Sequence, residues 1–189
     1  LKGGAMKFGQ ALSVFEAALP EEFAKPYRET LTKLQESAPP LPAKVVHKVL
    51  AKELGEDWRD NFASFEDQAT ASASIGQVHR AVWKDGTHVA VKIQYPGVDQ
   101  AIEADLRNAD LLGTLLSLGF KGLDPDEMVA EIRERLIEEL DYTREAKNQR
   151  LFADFYRGHP YINVPEVVDH LSTSRVLTTD LVVGHTWQE

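Results

Sequence analysis

A run of small residues, a lysine in an apolar strand and a carboxylate on a helix are the groups in this sequence that could hold a phosphate chain. The run Ala71-Ser72-Ala73-Ser74-Ile75-Gly76-Gln77-Val78 lies where a strand would turn into a hairpin. Small side chains let backbone N–H groups approach phosphate oxygens closely, although a tight strand turn explains such a run equally well. Sixteen residues past Gly76 stands Lys92, closing Val89-Ala90-Val91-Lys92. Strand alternation puts Lys92 on the face of Ala90. A lone motif of this kind is more simply an edge lysine reaching water. Glu145, on a helical run beginning near Asp126, offers the anion that would fix such a lysine.

The elements that must position these groups are legible in the pattern. Phe8, Leu12, Phe15 and Leu19 follow helical spacing, and so do Phe23, Tyr27, Leu31 and Leu34 after Pro20. Pro39-Pro40-Leu41-Pro42 then breaks the chain before a helix bearing Val46, Val49, Leu50 and Leu54, with Gly55 at its end. Residues 1–57 therefore read as a helical extension, and residues 58–189 as a separate body. In that body, Ile75–Trp83 and His88–Ile93 are rich in strand formers and joined by Lys84-Asp85-Gly86-Thr87. Asp-Gly there predicts a type I′ hairpin turn, with positive φ at both central residues. Residues 98–118 and 126–153 are helical in pattern, the second with an apolar stripe of Val129, Ile132, Leu136 and Leu140. Val164–Val168 and Arg175–Val183 return to strand character. The order is that of an α+β fold with an antiparallel sheet.

A phosphate-covering loop, a hairpin, a strand lysine and a helix glutamate stand in protein-kinase order. The departures from an ordinary kinase are specific: Ala71, Ala73 and Gly76 occupy the three glycine positions of G-x-G-x-x-G. Ala73–Ala81 (ASIGQVHRA) and Val89–Val98 (VAVKIQYPGV) resemble the UbiB family of atypical kinases. So do Lys7-Phe8-Gly9-Gln10, matching its K-x-G-Q signature, Leu34–Pro42, and Glu138–Asn148, with the E-x-D motif at Glu139 and Asp141. These five motifs, in order, span essentially the whole chain.

The resemblance implies a kinase-like N-lobe preceded by the helical extension, with ATP as ligand. Ala71, Ala73, Ser74 and Gly76 would form the nucleotide loop, and Val78 and Ala90 would line the nucleotide. Lys92 would be the phosphate lysine and Glu145 its partner. Lys7 and Gln10 would fold over the pocket near Glu139 and Asp141, and Asp180 and Val182 would belong to the adenine-binding hinge. On one continuous helix Asp141 would share a face with Glu145, and Glu139 would lie roughly 120° around from it. Ser72 departs from the alanine frequent at its position. The implied parent is a phosphotransferase or ATPase supporting isoprenoid-quinone lipid metabolism, with a quinone-like lipid or a membrane surface as further partner. A nucleotide-sensing module without phosphoryl transfer is the alternative.

Several features bound that reading. The sequence holds no H-x-D or D-F-G equivalent, so the catalytic loop, the C-lobe and the Mg²⁺ ligands are expected in a longer parent. The first residue is Leu1 and no secretory signal is visible, which fits a piece of a cytoplasmic or peripherally membrane-bound protein. Leu111–Phe120 is apolar but half the ~20 residues needed to span a bilayer, so it reads as a buried helix face, with a lipid-touching patch as the other option. A net charge of −9 leaves no global basic field and argues against nucleic acid as a partner. The absence of cysteine excludes disulfides and thiolate zinc sites. His79 and His88, flanking the hairpin, read as half-exposed strand positions without a metal partner.

Overall fold

The computed structural model describes residues 40–73, 75–101, 130, 134, 137, 138 and 140–184. Lys7, Gln10, Ser74, Glu139 and Leu111–Phe120 lie outside the described residues, as do the two helices expected before Pro39. The chain divides into two compact units, residues 1–39 with 95–140 and residues 40–94 with 141–189. In the first, the described residues include a turn at Gly97, where φ is 75°.

The second unit opens with helix α1, Ala43–Leu54. Pro42 precedes it, and the Pro42 carbonyl accepts from Val45 N–H at 2.8 Å. The missing N–H and fixed φ of proline suit a helix start. The helix ends at Gly55, whose φ of 100° favours glycine and whose N–H returns to the Ala51 carbonyl at 3.0 Å. Val46 and Leu50, one turn apart, are fully buried. Each such burial contributes about 1.5–3 kcal/mol. They pack with Trp58, Phe62, Ala81, Val89, Val91, Ile93, Val168, Leu171 and Val176. Helix α1 thus shares the core of the sheet, across the boundary that the change of pattern suggests near residue 57.

That sheet has five antiparallel strands: β1 (Phe62–Phe65), β2 (Ala71–Ser72), β3 (Gly76–Trp83), β4 (His88–Gln94) and β5 (Val176–Asp180). The order is β1-β3-β4-β5, with β2 also paired to β3. Directly opposed residues share a face, so register sorts the side chains. Gln77, His79 and Ala81 oppose Ile93, Val91 and Val89, on the core face. Val78 and Arg80 oppose Lys92 and Ala90 on the other face. Ala71 joins them by opposing Val78, and Leu177 and Thr179 by opposing Lys92 and Ala90. Helix α2, Tyr142–Tyr156, meets this second face, where Glu145 reaches Lys92.

Three local expectations are corrected. The β3–β4 connection is the four residues 84–87, in which Gly86 alone has positive φ, at 92°, and Asp85 does not. Gly86 N–H bonds the Trp83 carbonyl at 2.9 Å, and Asp85 accepts from Thr87 N–H at 2.8 Å, so the aspartate acts through its side chain. His79 is not half-exposed but fully buried, because register points it at the core and two hydrogen bonds satisfy its ring. Val164–Val168 forms no strand; it touches β5 through an isolated bridge from Val167 to Thr179.

Gly76 illustrates how tightly the hairpin seats. A Cβ there would lie 2.2 Å from the Ile93 carbonyl oxygen and 3.0 Å from Tyr142 Oη. Backbone cannot yield cheaply, so Gly76→Ala should destabilise the chain by about 2 kcal/mol or more, as overpacking does. Urea unfolding checks this, and an unchanged midpoint would show that β3 does not approach β4 and Tyr142 this closely.

Candidate functional site

The small-residue run folds as the tip of a second hairpin. Ala73 and Gly76 face each other across it, with Ala73 N–H bonding the Gly76 carbonyl at 2.8 Å and the return bond at 3.5 Å. Ile75 is buried and anchors the tip. Exposed Ala71 and half-buried Val78 and Ala90 follow toward the middle of the sheet, on the face that carries Lys92. These small and β-branched side chains lie beside Lys92, with Arg80 on the same face.

Lys92 Nζ donates to both oxygens of Glu145, each at 2.7 Å. It also lies 4.6 Å from the centroid of the Tyr142 ring. The two side chains remain 25% and 44% exposed, so the pair is partly hydrated. A pair of that kind contributes about 0–1 kcal/mol to stability. What the two oxygens and the ring fix is position: they hold the ammonium over α2 while one side stays open to solvent. An ammonium so held can attract phosphate oxygens.

Tyr142 was not legible as part of the site, although it precedes Glu145 by three residues and so shares its helix face. Its side chain is 1% exposed, and its N–H bonds the Ser174 carbonyl at 2.9 Å, tying the start of α2 to the approach to β5. One ring therefore backs both Gly76 and Lys92.

Asp141 and Glu145 do not share a helix face, because no continuous helix carries them both. Asp141 has φ −117° and ψ 98° and stands outside α2 as its N-cap. Its Oδ1 accepts from Thr143 N–H at 2.9 Å and from Thr143 Oγ1 at 2.7 Å. Aspartate before a helix satisfies an otherwise orphaned N–H. That preference was available in Asp141-Tyr142-Thr143 but was outweighed by the longer apolar stripe.

Asp180 closes β5, and Val182 lies two residues beyond it. Asp180 opposes Val89, its N–H is taken by the Glu166 carbonyl at 3.0 Å, and Leu181 N–H bonds the His88 carbonyl at 2.9 Å. Asp180 and Val182 line an open cavity of about 580 Å³ with Tyr156, His159 and Ile162. Among the described residues, no three His, Asp or Glu side chains converge as metal ligands.

Residues 33–189 match the ABC1 atypical kinase-like domain. The chain belongs to that family, the UbiB type of atypical kinase. It is 42% identical over 188 residues to the mitochondrial atypical kinase coq-8 of Caenorhabditis elegans, covering 97% of this chain and 24% of that protein. It is 40% identical over 185 residues to the mitochondrial atypical kinase COQ8 of Saccharomyces cerevisiae, covering 97% of this chain and 36% of that protein. Among solved structures, the complex of Rv3197 with erythromycin from Mycobacterium tuberculosis is 54% identical, with a TM-score of 0.67. That match covers 97% of this chain and 46% of the other. The chain thus spans about a quarter to a third of the curated relatives it matches.

The kinase-like architecture of the ABC1 family accounts for the antiparallel sheet with a helix against one face. Within it, the E-x-D aspartate of this chain is a capping residue. Asp141→Ala should therefore lower stability by about 1 kcal/mol, and Asp141→Asn should retain most of it, since asparagine caps as well. Urea denaturation of the two variants decides. Equal losses would show that the negative charge of Asp141, not its cap, is what matters.

Proposed function

We propose that this chain is the ATP-binding portion of an atypical kinase or ATPase of the UbiB type. The observation that carries the reading is the two-oxygen grip of Glu145 on Lys92, beside a hairpin tip made of small residues. ATP fits these residues chemically. The ammonium meets the charge of the phosphates, and Val78 and Ala90 offer an apolar surface to a base. This chain's own contribution is to bind and orient. When bound, ATP supplies the transferable phosphoryl group.

The coq-8 and COQ8 names of the relatives support isoprenoid-quinone lipid metabolism as the setting, and a quinone-like lipid is the partner we propose for it. Among the described residues no helix is long and apolar enough to cross a membrane. A nucleotide-sensing module without phosphoryl transfer is the alternative reading. Phosphate release from ATP by the full-length polypeptide separates the two readings.

Nucleotide binding itself is tested by thermal shift. At about a hundred times its Kd, a ligand adds about 2.7 kcal/mol, or roughly 5–10 °C for a domain of this size. Mg-ATP should raise the melting temperature of the wild type by that order, and Lys92→Ala should abolish the rise. A wild type that ignores ATP, or a Lys92→Ala variant that responds fully, would overturn the reading.

A further inference from the structure

A buried chain of hydrogen bonds runs behind the hairpin tip, on the sheet face opposite Lys92. Leu41 N–H donates to Gln77 Oε1 at 2.7 Å. Gln77 Nε2 meets His79 Nε2 at 2.8 Å, and His79 Nδ1 meets the Glu66 carbonyl at 2.8 Å. Gln77 and His79 are both fully buried, and Phe65 stacks on the His79 ring at 5.2 Å. The two ends of the chain are backbone groups whose polarity cannot reverse. A carbonyl at Glu66 requires a proton on Nδ1, so a neutral His79 presents Nε2 as acceptor. Gln77 must then turn its amide N–H₂ to His79 and its oxygen to Leu41. Burial holds the His79 ring below its usual basicity, in keeping with this neutral tautomer. The titratable groups nearby are Glu66, Asp67 and His47. Asp67 is itself bonded to His47 at 2.7 Å and to Arg59 at 2.8 Å, and the His47 bond is the main reason its carboxyl lies below the usual range.

The places this chain joins are what give it meaning. Gln77 adjoins Gly76 and opposes Ser72, so it sits at the root of the hairpin tip. Glu66 leads into β2, the other arm of that hairpin. Leu41 leads into α1, and the sequence before it carries Lys7 and Gln10. A buried amide is a poor choice for stability at such a place, since an apolar side chain would need no partners. It is a good choice for setting register, because it accepts one arrangement only.

We propose that Gln77 is a positioning residue, which fixes the nucleotide hairpin relative to the Leu41 segment and so couples ATP binding to the order of that segment. The proposal rests on the nucleotide-binding reading above. Coupling of this kind is reciprocal: ATP should protect the Leu41 amide, and release of Leu41 should weaken ATP.

The test combines hydrogen exchange at the Leu41 amide with calorimetric titration by Mg-ATP. In the wild type, Mg-ATP should slow Leu41 exchange. Gln77→Leu should abolish that protection and weaken ATP about tenfold, the effect of leaving one or two buried groups unpaired. Gln77→Glu keeps an acceptor for Leu41 but loses the amide donor to His79, so it should recover part of the protection while ATP stays weaker than in the wild type. Should Gln77→Leu fail to fold, His79→Asn removes only the second anchor and should weaken ATP by about threefold, a smaller loss of the same origin. Loss of Leu41 protection with unchanged ATP affinity would reduce Gln77 to a structural residue and overturn the proposal. So would unchanged protection in Gln77→Leu. A wild type that protects Leu41 but binds no ATP would instead defeat the nucleotide reading, and the coupling with it.

Discussion

Lys92 and Glu145 lie 53 residues apart in sequence, and their ion pair joins the middle of β4 to the first turn of α2. Its energy is small because both groups are partly hydrated. Its geometry is demanding, because two oxygens at 2.7 Å and a ring at 4.6 Å leave the ammonium little freedom. Most of the second unit can be understood as the apparatus that makes this meeting possible. The core under β4 fixes the strand, the bond from Tyr142 N–H to Ser174 fixes the start of the helix, and Asp141 caps that helix from the residue just before it. A lysine without this frame would spend its time in water.

The same frame explains why small residues gather at the hairpin tip. Gly76 has no room for a Cβ between the Ile93 carbonyl and Tyr142, so its glycine is required by packing whether or not a phosphate approaches. Ala71, Val78 and Ala90 are brought into line by strand register, which also sends Gln77 and His79 to the opposite side. One face can thereby receive a ligand while the other holds a polar brace. Neither face could be altered by a single residue of slippage without exchanging their contents.

Much of this was legible in the sequence where a strong local pattern and the final packing agree. Helix α1 announced itself through Pro42, Val46, Leu50 and Gly55, and the β3–β4 hairpin through two strand runs around Gly86. The small-residue tip and Lys92 stood out only as members of an ordered set, since a tight turn and an edge lysine explain each of them alone. What escaped depends on contacts distant in sequence or on competing local signals. The burial of His79 follows from register against Val91 and from a carbonyl thirteen residues away, neither of which periodicity reveals. Asp141 was absorbed into a long helical stripe, yet its capping bonds to Thr143 mark a new start. Asp85-Gly86 suggested a tighter turn than forms, because the aspartate side chain stabilises a longer loop.

Membership of the ABC1 atypical kinase-like family supplies the architecture, and the local chemistry supplies the reason for it: Glu145 serves the site by placing Lys92. A double-mutant cycle on ATP affinity, with Lys92→Met, Glu145→Gln and the pair measured by calorimetry, tests that claim most directly. If Glu145 acts only through Lys92, each single change weakens ATP by about tenfold or more, roughly 1.4 kcal/mol, and the double variant is no weaker than Lys92→Met alone. Two effects that simply add, or a wild type without measurable affinity, would contradict the account.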